Sequence, residues 1–112
     1  MSNDELPSAT LQDLLEFFWA EPLVDDTVSM YSVTDARGVE LQFSFDEVAA
    51  SIQTLVLLNG EALANVSHEQ LVRLRIYGDT LVAECRGADC VSKLELRVRP
   101  QIAVQWSSLR TL

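Results

Sequence analysis

Leu71-Val72-Arg73-Leu74-Arg75-Ile76-Tyr77-Gly78-Asp79-Thr80-Leu81-Val82-Ala83-Glu84-Cys85 is the stretch that decides the fold. Val72, Leu74 and Ile76 alternate with Arg73 and Arg75, the period of two that a half-buried strand requires. Gly78-Asp79 supplies a tight turn, after which Leu81, Ala83 and Cys85 share a face opposite Val82 and Glu84. The alternation continues past a loop at Arg86 to Asp89. Cys90, Leu94, Leu96 and Val98 face inward, while Lys93, Glu95, Arg97 and Arg99 face outward. Pro100 interrupts, and Ile102, Val104 and Trp106 then alternate with Ala103 and Gln105. Short turns between such runs predict an antiparallel meander of four strands.

A second hairpin lies upstream. Val28 to Thr34 reads as a strand, Asp35-Ala36-Arg37-Gly38 as its turn, and Val39 to Phe45 as the return, with Val39, Leu41, Phe43 and Phe45 on the buried face. Asp46 to Val66 is open to two readings. Ser44 and Glu47 suit a helix cap, with Val48, Ile52 and Leu55 on one face and Gly60 as the residue that ends a helix running to Leu58. Asn59-Gly60 is, however, the strongest two-residue hairpin signal. The favoured reading is a short helical turn at Asp46 to Ala50, then a strand pair around Asn59-Gly60.

Ahead of the strands the period changes to that of a helix. Thr10 and Asp13 form a capping pair, and Leu11, Leu14, Leu15 and Phe18 make one stripe. Pro22 closes the helix near Ala20, because proline has no N–H and disfavours helical geometry before it. Phe17 and Trp19 fall off the stripe. Either the buried face is wide or one aromatic is left for a partner. Residues 1–7 read as a frayed lead-in. With 112 residues and 48% apolar content, the chain suits a single domain, 1–112, with one core. The class predicted is α+β: a mainly antiparallel sheet with the N-terminal helix packed on it.

Charge is divided unevenly. Residues 1–69 hold 13 acidic side chains and one basic, Arg37, whereas 70–112 hold 4 acidic and 7 basic, within a formal net charge of −9. Such an asymmetry speaks about association rather than fold. The acidic part repels nucleic acid and anionic lipid, and a basic protein is its counterpart. The plain alternative is that acidity serves solubility. Arg73, Arg75, Lys93, Arg97 and Arg99 lack interleaved aromatics, so pairing with the acidic helix or hairpin is favoured over nucleic acid for them. No run of about 18 apolar residues offers a membrane span. Asp4 and Glu5 stand where a secretory leader carries cations, so the expected address is cytoplasmic.

Motifs for chemistry are weak. Cys85 and Cys90 flank a four-residue loop, and in a reducing compartment they read as buried thiols rather than a disulfide. A lone C-x4-C with one distant histidine cannot complete a zinc site, so no metal and no cofactor is expected. His68 lies in Ser67-His68-Glu69, but adjacent residues do not make a triad, and a turn role is favoured. Asp25-Asp26 and Asp46-Glu47 are paired carboxylates whose spacing matches no calcium loop. These carboxylates, with Phe17, Trp19 and Tyr31 as apolar anchors, form the candidate partner-binding set. No catalytic residue is assigned. The function expected is that of a small acidic inhibitor of another, basic, protein. Its most concrete form is an immunity protein that occludes a toxin, such as a nuclease, stoichiometrically. A secretion chaperone or adaptor, and a small carboxylate-based enzyme, are the alternatives.

Overall fold

A computed structural model describes residues 9–110, so the lead-in expected at 1–7 lies outside the described residues. One helix, α1 (Leu11–Phe18), precedes two antiparallel sheets. The first contains β1 (Leu23–Asp25), β2 (Val28–Thr34), β3 (Val39–Asp46), β4 (Ser51–Leu58) and β5 (Glu61–His68), paired in chain order. The second contains β6 (Leu71–Tyr77), β7 (Thr80–Arg86), β8 (Cys90–Arg97) and β9 (Ala103–Arg110), again in chain order. The expected meander is therefore present, but as two sheets, and the helix is only eight residues long. The chain is mostly β. The break between sheets falls at Gln70, which takes φ 61° and accepts at its carbonyl from the Arg86 N–H. Leu71 donates to the Ala50 carbonyl, and β6 then pairs with β7 instead of β5.

The helix begins as its sequence predicts. Thr10 Oγ1 accepts from the Asp13 N–H at 3.1 Å, and Asp13 returns the contact by accepting from the Thr10 N–H at 2.9 Å. Its buried face is Leu14, Phe17 and Phe18, whereas Leu11, predicted for the stripe, is half exposed. The interval from Leu14 to Phe17 and Phe18 is i, i+3 and i+4, so the stripe is displaced by one helical turn and widened. Phe18 stacks on Tyr31 at 4.8 Å and lies 5.7 Å from Phe43, while Phe17 meets it edge-on at 4.9 Å. Aromatic contacts of this kind contribute about 0.5–1.5 kcal/mol each beyond their burial. Leu41, Phe43 and Ile52 of the first sheet join Leu74, Leu81, Leu94 and Leu96 of the second in the same core cluster.

The hairpin of β2 and β3 has the predicted turn. The reading of Asp46 to Val66 as a turn and a strand pair holds, with Asn59 (φ 51°) and Gly60 (φ 83°) both in the left-handed region that their two-residue hairpin needs. Asp46, not Ser44 with Glu47, organises the turn before β4: its Oδ1 accepts from the Val48 and Ala49 N–H groups. Two bulges escaped the sequence reading. Ala62 faces Leu57 and Ala64 faces Val56, which leaves Leu63 unpaired and exposed on β5. Leu71 faces Cys85 and Arg73 faces Glu84, so Val72 is the extra residue. It is exposed rather than in line with Leu74 and Ile76.

Asp35 joins the two sheets. Its carboxylate, only 2% exposed, accepts from Arg37 Nη2 at 2.7 Å and from the backbone N–H groups of Arg37 and Val39. It also accepts from the Ile102 N–H at 2.9 Å, beyond β8, while Arg37 Nη2 donates to the Ile102 carbonyl at 2.7 Å. The Arg37 side chain, with those backbone donors, holds the Asp35 carboxyl far below the usual carboxylate range.

Cys85 is buried and Cys90 half-buried, both as free thiols. Cys85 lies opposite Ser92, two residues along β8 from Cys90. Burial, with a smaller effect of Glu84, pushes the Cys85 thiol up, away from the reactive thiolate. Replacing both by alanine is expected to cost only about 1 kcal/mol of stability in denaturant titration and to leave partner binding unchanged. Loss of binding with the fold intact would give the thiols a role outside packing.

Candidate protein-binding surface

The sequence candidates divide sharply by burial. Phe17 is 4% exposed and Tyr31 fully buried, so both belong to the aromatic core and are withdrawn as contact residues. The off-stripe position of Phe17 reflects the wide helix face, not a surface role. Trp19 is the opposite case. It is the C-cap residue of α1 in the left-handed conformation, φ 54° and ψ 37°, and is 75% exposed. The Arg99 guanidinium lies 3.6 Å over its ring and donates through Nη2 to the Phe17 carbonyl at 2.6 Å. A helix-end carbonyl and an aromatic face thus share one cation. The indole is held from one side and open on the other.

From Trp19 the chain runs into β1, where Leu23 and Val24 are 70% and 65% exposed. Asp25 and Asp26 follow, both exposed, with Asp26 at φ 59° in the turn to β2. The pairing of Asp25 with Val28, and of Val28 with Asp46, aligns these residues in one row across β1, β2 and β3. Asp25, Asp26, Asp46 and Glu47, separated by some twenty positions in sequence, therefore meet at one end of the first sheet. Asp46 is engaged: it accepts from Thr27 Oγ1 at 2.9 Å as well as from the turn N–H groups. The Ala49 N–H, then Thr27, lower its pKa, so it stays ionised. Glu47 is exposed beside it. The register adds a carboxylate that sequence reasoning missed. Glu69 borders a cavity of about 190 Å³ with Asp46, Ser44, Ser51 and Ser67. Only strand pairing brings Glu69 there, so no local motif marks it.

Among the described residues, no ion pair joins Arg73, Lys93, Arg97 or Arg99 to the acidic helix or hairpin. Arg99 reaches α1, but at a carbonyl and an aromatic ring rather than at a carboxylate. Arg86 pairs with Glu84 at 3.4 Å within its own strand. Arg73, Lys93 and Arg97 are exposed on the outer face of the second sheet. His68 ends β5 opposite Ile52, with Nδ1 buried and burial lowering its pKa, a packed position rather than one in a turn. Among the described residues, no group of three or more His, Cys, Asp or Glu is placed to hold a metal ion, and no helix is long and apolar enough to cross a membrane.

No family model matches this sequence, and no curated protein matches it. Among solved structures, the chain is similar to one from a contact-dependent growth inhibition toxin–immunity protein complex of Klebsiella pneumoniae 342. The identity is 26% and the TM-score 0.82, covering 92% of this chain and 96% of that one.

Proposed function

We propose that this chain is an immunity protein, which binds one toxin and blocks it by occlusion. Likeness over almost the full length of a chain from a toxin–immunity complex carries the reading. Of the two members of such a pair, charge and surface favour the immunity side. A net charge of −9 and clustered carboxylates suit an inhibitor of a basic protein. The single histidine is packed at a strand end.

Binding then has two parts. Carboxylates at Asp25, Asp26, Glu47 and Glu69 attract the partner over a distance and set its approach. Trp19, flanked by Leu23 and Val24, supplies the apolar anchor that excludes water at the centre of contact. The inhibitor acts stoichiometrically and turns nothing over. Two free thiols suit a reducing compartment, and a cytoplasmic complex is part of this reading. The partner is obtained by purifying this protein from its native host with whatever co-elutes. Titration of that toxin's activity should reach full inhibition at a fixed molar ratio. Inhibition by sub-stoichiometric amounts that deepens with time would replace the reading with catalysis.

Steering has its own test. Asp25→Lys combined with Asp26→Asn reverses the local sign, and asparagine tolerates the left-handed backbone at position 26. The association rate should fall roughly fivefold to tenfold at low ionic strength, with a shallower salt dependence and a nearly unchanged dissociation rate. An unchanged association rate at low salt would remove this end of the sheet from the approach path.

A further inference from the structure

The outer face of the second sheet carries charge in a different manner from the acidic end of the first. Across the strands Arg73 lies opposite Glu84, and Glu84 opposite Lys93, while Val82 separates Arg75 from Glu95 in the next row. Along β8 the outward positions are Lys93, Glu95 and Arg97, which alternate in sign. Arg73, Arg75, Glu84, Lys93 and Glu95 line an open depression of about 320 Å³, with Val82 in its lining and the exposed Tyr77 at one side, and Arg97 follows beyond it along β8. Arg75 donates to the Tyr77 hydroxyl at 3.0 Å, which fixes that guanidinium in place. Arg99, which clamps Trp19, lies two residues beyond the end of β8. The alternation in sign ends there, because Arg97 and Arg99 are both cations and Arg99 is committed to Trp19 and the Phe17 carbonyl.

We propose that this face is a second docking surface, and that its occupant is an extended segment of a partner protein with charges alternating acidic, basic, acidic. Its carboxylates are set against Lys93 and Arg97 and its central cation against Glu95. Side chains on one face of an extended strand recur about every 6.6 Å, the same interval that separates the three charges of β8. A segment of that pattern meets an opposite charge at each position. Arg73 on β6 adds a further partner for a carboxylate.

Other occupants fit worse. A nucleic-acid backbone presents only negative charge, which would lie on Glu84 and Glu95 within a chain of net charge −9. A second copy in two-fold antiparallel contact centred on Glu95 would set Glu95 against Glu95 and Lys93 against Arg97, like against like. The acidic part of a second copy, with 13 acidic residues and one basic in 1–69, offers no alternation. From the reading above this proposal takes only that the partner is a protein. Steering by uniform acidity attracts any basic surface, whereas a signed pattern discriminates among partners.

The test needs no toxin, so its failure is separate from failure of the immunity reading. The full chain, isotopically labelled, is titrated at low ionic strength with three probes followed by amide resonances. The probes are a short peptide with glutamate, lysine and glutamate at alternate positions, the same peptide with the signs exchanged, and an oligouridylate. The first peptide should shift Arg73, Lys93, Glu95 and Arg97 saturably and bind roughly tenfold more tightly than the second. Glu95→Lys should reverse the preference toward an all-glutamate peptide. Equal binding of the two peptides, tighter binding of the oligouridylate, shifts confined to other faces, or no shift at all would each overturn the proposal.

Discussion

Trp19→Gly is expected to weaken the complex by roughly thirtyfold or more, about 2 kcal/mol, while stability stays within about 1 kcal/mol of the parent. The two expectations have separate causes. An indole 75% exposed contributes little to the core, so its removal leaves no cavity. Its backbone at φ 54° is unfavourable for any residue with a Cβ, and glycine relieves that cost. Loss of the stacking with Arg99 acts in the other direction and offsets the gain. On the proposed reading, the cost to the fold at this position is offset by the contact that Trp19 makes with the partner. The measurement pairs a dissociation constant with a denaturant midpoint. An unchanged dissociation constant would exclude Trp19 from the interface.

Asp35→Asn is expected to produce a stability loss that is large for a polar residue outside the apolar core. The amide is isosteric but places an NH₂ among donors that a carboxylate satisfies: Arg37, Val39 and the Ile102 N–H. The thermal midpoint should fall by roughly 5–10 °C at neutral pH. Its pH dependence has a defined sign. The folded carboxyl sits below its ordinary value of 3.8, so the unfolded chain takes up protons first as pH falls. The stabilisation is complete above about pH 5 and is lost as pH drops through 3.8 toward the depressed folded value. The gap between parent and variant should therefore be widest near neutrality and narrow in acid. A gap independent of pH would show that Asp35 contributes through packing alone.

These two residues also mark what sequence reading reaches. Strand alternation located β2, β3 and β6 to β9, because a period of two is a local property of the chain. The turn at Asn59-Gly60 was equally local. What was not legible depends on register or on contacts between sheets. Val72 reads as inward by parity, and only the pairing of Leu71 with Cys85 and Arg73 with Glu84 makes it a bulge. Asp35 reads as an ordinary turn residue, since its partner Ile102 is sixty-seven positions away. For the binding surface, Trp19 and the carboxylate pairs were visible as residues, but not their fates. Phe17 and Tyr31 are equally aromatic, yet both are buried, because the helix presents the face of Leu14, Phe17 and Phe18 to the first sheet. Glu69 had no sequence signal at all.

The bulges at Leu63 and Val72 have a consequence for the chain before it meets any partner. Two open sheets expose four border strands, and a border with regularly spaced N–H and C=O groups recruits further strands into fibrils. β1 is three residues long, and β5 and β6 each carry an unpaired residue that bends the row of free groups out of line. On β6 the Leu74 carbonyl is also occupied by the Ala9 N–H. β9 alone keeps an unbroken register of eight residues with its neighbour. Three of the four borders are thereby interrupted, and self-polymerisation, if provoked, would begin at the fourth.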